Sequence, residues 1–153
     1  MGLKADALQI LGGLKIEEAL PYAREFIRSD SRDFRYRGII VTGWIGHEND
    51  IPLLTERLAN EPDIELRGYA ATALRQLWFR LPDTKDEIVA ILYKALHTEN
   101  EEFVLECIII VLQDLLKKKF GLRENIEEAE TTGDVLKAKD RALKVLSKLG
   151  YSV

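Results

Sequence analysis

"EPDIELRGYAATALRQL", residues 61–77, decides the fold, because it repeats the pattern of "SRDFRYRGIIVTGWIGH", residues 31–47. At a spacing of 30, Asp33 matches Asp63, Arg37 matches Arg67, Gly38 matches Gly68 and Thr42 matches Thr72. The preceding stretches match too: Leu20, Pro21, Glu25 and Ile27 of "ALPYAREFIRSD" align with Ile51, Pro52, Glu56 and Leu58 of "DIPLLTERLANE". A third copy follows at a spacing of 38, which maps Leu58 onto Leu96 and Leu66, Ala70, Ala73, Leu74 and Leu77 onto Val104, Ile108, Val111, Leu112 and Leu115. The turn-rich "FRLPDTKD" (79–86) accounts for the longer period. Self-similarity at such a period marks a solenoid.

Each copy holds two apolar stripes at helical spacing around a short polar break. The copies therefore read as helical hairpins, an A helix followed by a B helix. In the second copy the break is "NEPD", where Pro62 and Asp63 supply helix-start chemistry, and Asp33 is placed equivalently in the first. The run "CIIIVLQDLL" (107–116) is β-branched enough for a buried strand, but its register against the alanine-rich "YAATALRQL" predicts a helix over 101–119. "KADALQILGGL" (4–14) reads as the last helix of a truncated repeat. "DVLKAKDRALKVLSKLG" (134–150) reads as a capping helix with Val135, Leu136, Ala142, Leu143, Leu146 and Leu149 on one face and Gly150 as its stop. "LRENIEEAETTG" (122–133) reads as a short helix and a loop. The expectation is one all-α domain over 1–153 without any sheet: a short right-handed α-solenoid of hairpins at 15–47, 50–79 and 86–119, between a partial repeat at 1–14 and a cap at 122–153.

Residues 61–77 closely resemble the second half of a HEAT-like repeat, the short type also seen in phycobilin-lyase-like proteins. Glu61-Pro62-Asp63, Leu66-Arg67, Ala70, Ala73, Leu74 and Leu77 fill that pattern, and Asp33, Tyr36-Arg37, Ile40, Gly43 and Trp44 fill it in the first copy. The third copy departs from it, with Leu105 in place of the arginine and Glu99 to Glu102 in place of the proline turn. The resemblance spans roughly residues 3–119. It implies a fold, not an activity, since such repeats serve many roles.

Composition narrows the function classes. The chain has 153 residues, 46% hydrophobic and 31% charged, with a formal net charge of −4. That is a folded chain without the basic footprint of a nucleic-acid binder. One cysteine, Cys107, rules out an internal disulfide and fits a reducing compartment. The N-terminal segment lacks the apolar core of a signal peptide, and Asp6 spoils the acylation pattern that Met1-Gly2 begins. The longest apolar run, "CIIIVL", is too short for a bilayer. A cytoplasmic protein without membrane, nucleic-acid or cofactor partners is expected.

Catalytic signatures are missing. His47, His97 and Cys107 have no zinc spacing. Ser29, Ser31, Ser147 and Ser152 lie in helix ends, Cys107 has no histidine at helical spacing, and Gly12-Gly13 lacks the Lys-Ser or Lys-Thr of a phosphate loop. No catalytic residue, metal site or cofactor is assigned, and the chain is read as a non-enzyme.

The candidate partner-binding residues lie on the outward row of the B helices. That row runs through Gly38, Thr42 and Ile45, then Gly68, Thr72, Arg75, Gln76 and Phe79, then Glu106, Ile110, Gln113, Asp114 and Lys117. Trp44, aligned with Leu74, reads as core. Trp78 favours core, and Phe79 stands evenly between burial and exposure. Gly38 and Gly68 inside helices favour close helix packing over close approach of a partner. Arg24, Arg28, Arg32, Arg35 and Arg37 crowd the first repeat, and Glu99, Glu101, Glu102 and Glu106 crowd the third. Solvated surface is the ordinary reading of such runs; a docking field for a basic protein is the alternative. The binding set is Tyr69, Arg75, Trp78, Phe79, Glu99, Glu102, Glu106, Gln113 and Asp114, with aromatic anchors and steering carboxylates.

Size, repeat type and charge are similar to those of the HEAT-like immunity proteins of bacterial contact-dependent inhibition (toxin–immunity) systems. That resemblance implies occlusion of a toxin domain, such as a basic nuclease. The alternatives are a DNA-alkylation-repair-like HEAT protein and a lyase-like chaperone or adaptor subunit.

Overall fold

The computed structural model describes residues 2–153; Met1, where the rejected acylation pattern begins, lies outside them. Among the described residues the α-helices are α1 Gly2–Gly13, α2 Leu20–Phe26, α3 Arg32–Ile45, α4 Ile51–Asn60, α5 Ile64–Arg80, α6 Lys85–Thr98, α7 Glu102–Leu116 and α8 Val135–Lys148, with two short strands, β1 Arg123–Asn125 and β2 Glu130–Thr132. The B helices α1, α3, α5 and α7 stack consecutively into one layer, and the A helices α2, α4 and α6 each pack on their own B partner. The B helices run parallel, because like ends meet. Arg37 near the start of α3 reaches Asp6 near the start of α1, and Arg80 at the end of α5 donates to Gly43 O and Gly46 O at the end of α3. Helix α8 packs across α6 and α7 and closes that end of the array. The fold is all-α and solenoid-like.

One apolar cluster runs from Ile27 and Ile39 through α4–α7 to Ala142 and Leu146 of α8. A smaller one, Leu8, Leu20, Val41 and Ile45, joins α1 to the first hairpin. The spacing of 38 holds: Val104, Ile108, Val111, Leu112 and Leu115 are all buried, and "CIIIVL" is helical. Helix formation costs a β-branched residue only a few tenths of a kcal/mol against alanine, whereas burying such a side chain gains roughly 1.5–3 kcal/mol, so packing decides.

The spacing of 30 does not hold. Helix α3 is capped by Ser31, whose Oγ accepts from Phe34 N at 3.4 Å, and α5 by Asp63, whose Oδ1 accepts from Leu66 N at 3.0 Å. The caps are 32 residues apart. In that register Ile39, Val41, Thr42 and Ile45 fall on Ala71, Ala73, Leu74 and Leu77, and all eight are buried. The A helices keep a spacing of 31, with Leu20, Ala23 and Ile27 over Ile51, Leu54 and Leu58. The link between A and B is one residue longer in the second hairpin. Asp33 is therefore not the equivalent of Asp63. Trp44 falls on Gln76 rather than Leu74 and is half-buried, not core.

Two further expectations are corrected. Gly38, Thr42, Ile45 and Gly68 do not form an open row, because all four are buried. A Cβ on Gly38 would lie 2.6 Å from Ile27 N, and one on Gly43 would lie 2.9 Å from Ala73 Cα, so these glycines serve close helix approach. Residues 122–133 hold a β-hairpin instead of a helix, pairing Arg123 with Thr132, Glu124 with Thr131 and Asn125 with Glu130. Leu122, Ile126 and Ala129 stand at helical spacing, but only Leu122 is buried and Ile126 is 84% exposed, so no helix face is packed there. Gly121 (φ 106°) and Gly133 (φ 128°) close its base in conformations other residues resist.

Candidate interaction surface

The start of each B helix is an ion-pair ladder. Arg35 Nε donates to Glu61 Oε2 at 3.0 Å and Arg57 Nη1 to the same oxygen at 3.1 Å; the Glu61 side chain is 0% exposed. Arg67 Nε donates to Glu99 Oε2 at 2.8 Å, and its Nη1 to Glu61 O at 2.9 Å. Arg35 likewise donates to Ser29 O, so Arg35, not Arg37, is the counterpart of Arg67. Arg32 pairs with Asp63 and Glu65, and Arg24 with Asp50. Of the arginine crowd of the first repeat, Arg24, Arg32, Arg35 and Arg37 are thus inter-repeat ties, while Arg28 donates to Arg24 O. Burial would raise the Glu99 carboxyl, but Arg67 and the N–H groups of Glu101 and Asn100 outweigh it and hold it below its ordinary range.

Several sequence-assigned residues are likewise engaged internally. Arg75 Nη1 donates to Asp114 at 2.9 Å and to Glu124 of β1 at 3.2 Å. Gln113 accepts from Phe120 N and Leu122 N and donates to Leu122 O, which fixes the loop after α7. Cys107 is half-buried, and burial, with Glu106 adding, pushes its thiol up to about 12, which fits an unreactive thiol. His47 lies beyond the end of α3, and His97 meets Tyr93 edge to face with ring centroids 4.7 Å apart. No cluster of three or more His, Cys, Asp or Glu side chains that could hold a metal ion occurs among the described residues.

What stays open is an aromatic row crossing three B helices. Tyr36 and Tyr69 lie 5.6 Å apart, and Tyr69 and Phe103 lie 6.0 Å apart edge to face. Tyr69 Oη donates to Glu65 at 2.6 Å, and burial together with that carboxylate raises its pKa. Phe103 is 38% exposed, and its ring fills the space where a Cβ on Gly68 would go. Tyr36 and Phe103 are absent from the sequence-derived set, since a row that crosses helices becomes legible only once the register is known. Glu102 and Glu106 flank Phe103 and form no ion pair among the described residues. Burial and the nearby Glu102 raise the Glu106 carboxyl, as expected for a like-charged pair one turn apart.

Trp78 and Phe79 sit elsewhere. Twelve residues separate Arg67 from Phe79, about 18 Å along a helix, so these aromatics belong to the far end of the B helices. Phe79 is 55% exposed; Trp78 is half-buried with Lys117 Nζ 5.5 Å from its ring centroid.

Stacked hairpins of this length, tied between neighbours, have a counterpart among known families. Residues 2–75 match the family model for HEAT repeats. The HEAT-like stacking continues beyond the matched part, since α7 packs on α5 as α5 packs on α3. Deoxyhypusine hydroxylase of Candida albicans (strain SC5314 / ATCC MYA-2876) is 28% identical over 99 residues, which cover 63% of this chain and 30% of the hydroxylase. The chain therefore spans less than a third of that relative. No solved structure matches the chain significantly. No helix among the described residues is long and apolar enough to cross a membrane.

Proposed function

We propose that this HEAT-like array is a protein-binding module whose B-helix starts receive a basic partner. The observation that carries this reading is the juxtaposition of the Tyr36–Tyr69–Phe103 row with Glu102 and Glu106, which form no ion pair among the described residues, whereas Glu61, Asp63 and Glu99 at the same edge are each held by an arginine. Leaving two like charges together on α7 weakens the helix slightly, and an incoming lysine or arginine relieves them. The aromatics supply desolvated contact area, which sets the dissociation rate, and the carboxylates steer encounter. The finer reading is an immunity protein that neutralises a bacterial toxin by covering a basic surface, with Glu102 and Glu106 in the place of substrate phosphates. Its support is the acidic, aromatic edge on a small array, and it requires no catalysis by this chain.

The test begins with affinity capture from the native cell and continues with the captured protein purified. A basic protein is expected, with an association rate that falls steeply with salt. Reversal of Glu102 and Glu106 to lysine is expected to slow association on the order of tenfold without loss of helicity. Tyr69→Ala is expected to accelerate dissociation instead. An association rate unmoved by the charge reversal removes this edge from the interface. Duplex DNA is not expected to bind; retention on DNA with a steep salt dependence would contradict the reading and favour the DNA-repair-like alternative.

A further inference from the structure

The opposite ends of the same helices carry cations that form no ion pair among the described residues. Lys117, Lys118, Lys119 and Arg123 surround an open concavity of about 810 Å³ at the end of α7, with Gln113 and Asp114 in its wall. Among the described residues none of these four side chains donates a hydrogen bond or forms an ion pair. Asp114 does not neutralise them, because Arg75 holds it. Other cations at this edge are engaged: Arg80 caps the carbonyls of α3, and Lys15 Nζ lies 3.5 Å from Trp44 O.

The loop that presents these cations is fixed. Gln113 bonds Phe120 N, Leu122 N and Leu122 O, Arg141 Nη1 donates to Phe120 O at 3.2 Å, and Phe120 is 1% exposed. Lys117 occupies the left-handed C-cap (φ 54°, ψ 41°), where glycine is the more stable choice. Its ammonium lies over Trp78, and Trp78 in turn contacts the exposed ring of Phe79 at 5.1 Å.

We propose that this edge is a second docking site, in which Lys117, Lys118, Lys119 and Arg123 hold a short acidic segment of a partner protein and Phe79, beside Trp78, takes an apolar residue within that segment. Charge complementarity selects the class of ligand, and the surroundings limit its length. Arg123 also borders a groove lined by Glu124, Glu127, Glu128 and Glu130 of the hairpin. A long polyanion, whether nucleic acid or an anionic membrane, would extend over those carboxylates and be repelled; a segment of a few residues stays among the cations.

The probe is a fluorescein-labelled octapeptide of glutamates and aspartates around one central leucine, measured by anisotropy with the full chain. Saturable, salt-sensitive binding is expected, weakened about tenfold by Lys118→Glu with Lys119→Glu. Phe79→Ala is expected to weaken it about threefold, and a scrambled peptide of lysines not to bind here. Reversal of Glu102 and Glu106, the test of the first site, is expected to leave this affinity unchanged, so the two sites fail independently. The proposal is overturned if the acidic peptide does not bind, or if the double reversal changes nothing. It is equally overturned if a single-stranded oligonucleotide or phosphatidylserine vesicles bind more tightly through the same lysines.

Discussion

The two ends of the B helices solve the problem of charge differently. At their starts, arginines reach across each repeat boundary, and a carboxylate as enclosed as Glu61 receives Arg35, Arg57 and the N–H of Asp63. At their finishes, lysines dominate, and the contacts are to aromatic faces: Lys15 lies 5.8 Å from the Trp44 ring centroid and Lys117 lies 5.5 Å from that of Trp78. The first edge is built for cohesion, and among the described residues Glu101, Glu102 and Glu106 at the start of α7 form no ion pair. The second edge is tied by Arg80 to the α3 carbonyls and by Arg75 to Asp114, and among the described residues it leaves Lys117, Lys118, Lys119 and Arg123 without an ion pair. A solenoid needs ties between repeats, because each repeat touches only its neighbours. Placing most of the arginine–carboxylate ties at one edge leaves cations free at the other.

The sharpest break of this contrast is Glu61→Gln. Removing the carboxylate leaves the Arg35 and Arg57 guanidinium groups, 13% and 17% exposed, without their shared partner. A loss of about 3 kcal/mol is expected in urea denaturation, against less than about 0.5 kcal/mol for Lys118→Gln at the other edge. Comparable losses at both positions would erase the distinction.

Next in size is Gly38→Ala. Its new methyl would meet backbone atoms, Ile27 N at 2.6 Å and Ala23 O at 2.8 Å, which cannot yield without moving α2. A cost of roughly 2 kcal/mol is expected. Gly68→Ala meets a ring edge of Phe103 at 2.6 Å and Cys107 Sγ at 3.0 Å, both side chains, so its stability cost is expected to be smaller while partner binding suffers through the displaced Phe103. Equal stability losses in urea denaturation would deny Phe103 that freedom.

A smaller effect separates the edges by pH. The folded-state pKa of Glu99 is depressed, so its contribution is present above the unfolded value, near 4.5, and is lost as pH falls through the depressed folded value. Asp50 and Asp63 behave alike: for Asp50, burial is outweighed by Arg24, and for Asp63, Arg32 is the leading cause. Stability is expected to fall below about pH 4.5, and Glu99→Gln to flatten that fall. An unchanged profile in Glu99→Gln would show that Arg67 and Glu99 do not tie the second repeat to the third.

The smallest expected effect is Lys117→Gly, a gain of about 0.5–1 kcal/mol from relief of the left-handed cap, paired with weaker binding of the acidic peptide. Stability gained without binding lost would make Lys117 a bystander.

Much of the fold was legible because burial is periodic. The third repeat aligned correctly, since its apolar positions Val104, Ile108, Val111, Leu112 and Leu115 recur under the same constraint as Leu66 to Leu77. The A helix of the first repeat aligned, but its B helix misaligned by two residues, because identities among Asp, Arg, Gly and Thr outweighed the burial pattern, and those residue types do not fill a core. The hairpin at 123–132 was missed because a glutamate-rich stretch without apolar alternation carries no strand signal; closure by Gly121 and Gly133 is a backbone property. Of the proposed interaction surface, Tyr69, Glu102 and Glu106 were legible as types in sequence. Their neighbours Tyr36 and Phe103 were not, and neither was the internal pairing of Glu99, Arg75 and Asp114. These depend on which residues of adjacent helices meet.

The division of the B-helix layer into two edges is tested most directly by amide chemical-shift mapping with two probes, a lysine-rich octapeptide and the acidic octapeptide. The lysine-rich peptide is expected to shift residues around Tyr36, Tyr69, Glu102, Phe103 and Glu106, and the acidic peptide to shift those around Phe79, Lys117 to Lys119 and Arg123. Two disjoint sets of perturbed amides support opposed docking edges; one shared set for both peptides, or a lysine-rich peptide that shifts only the hairpin carboxylates at 124–130, contradicts them.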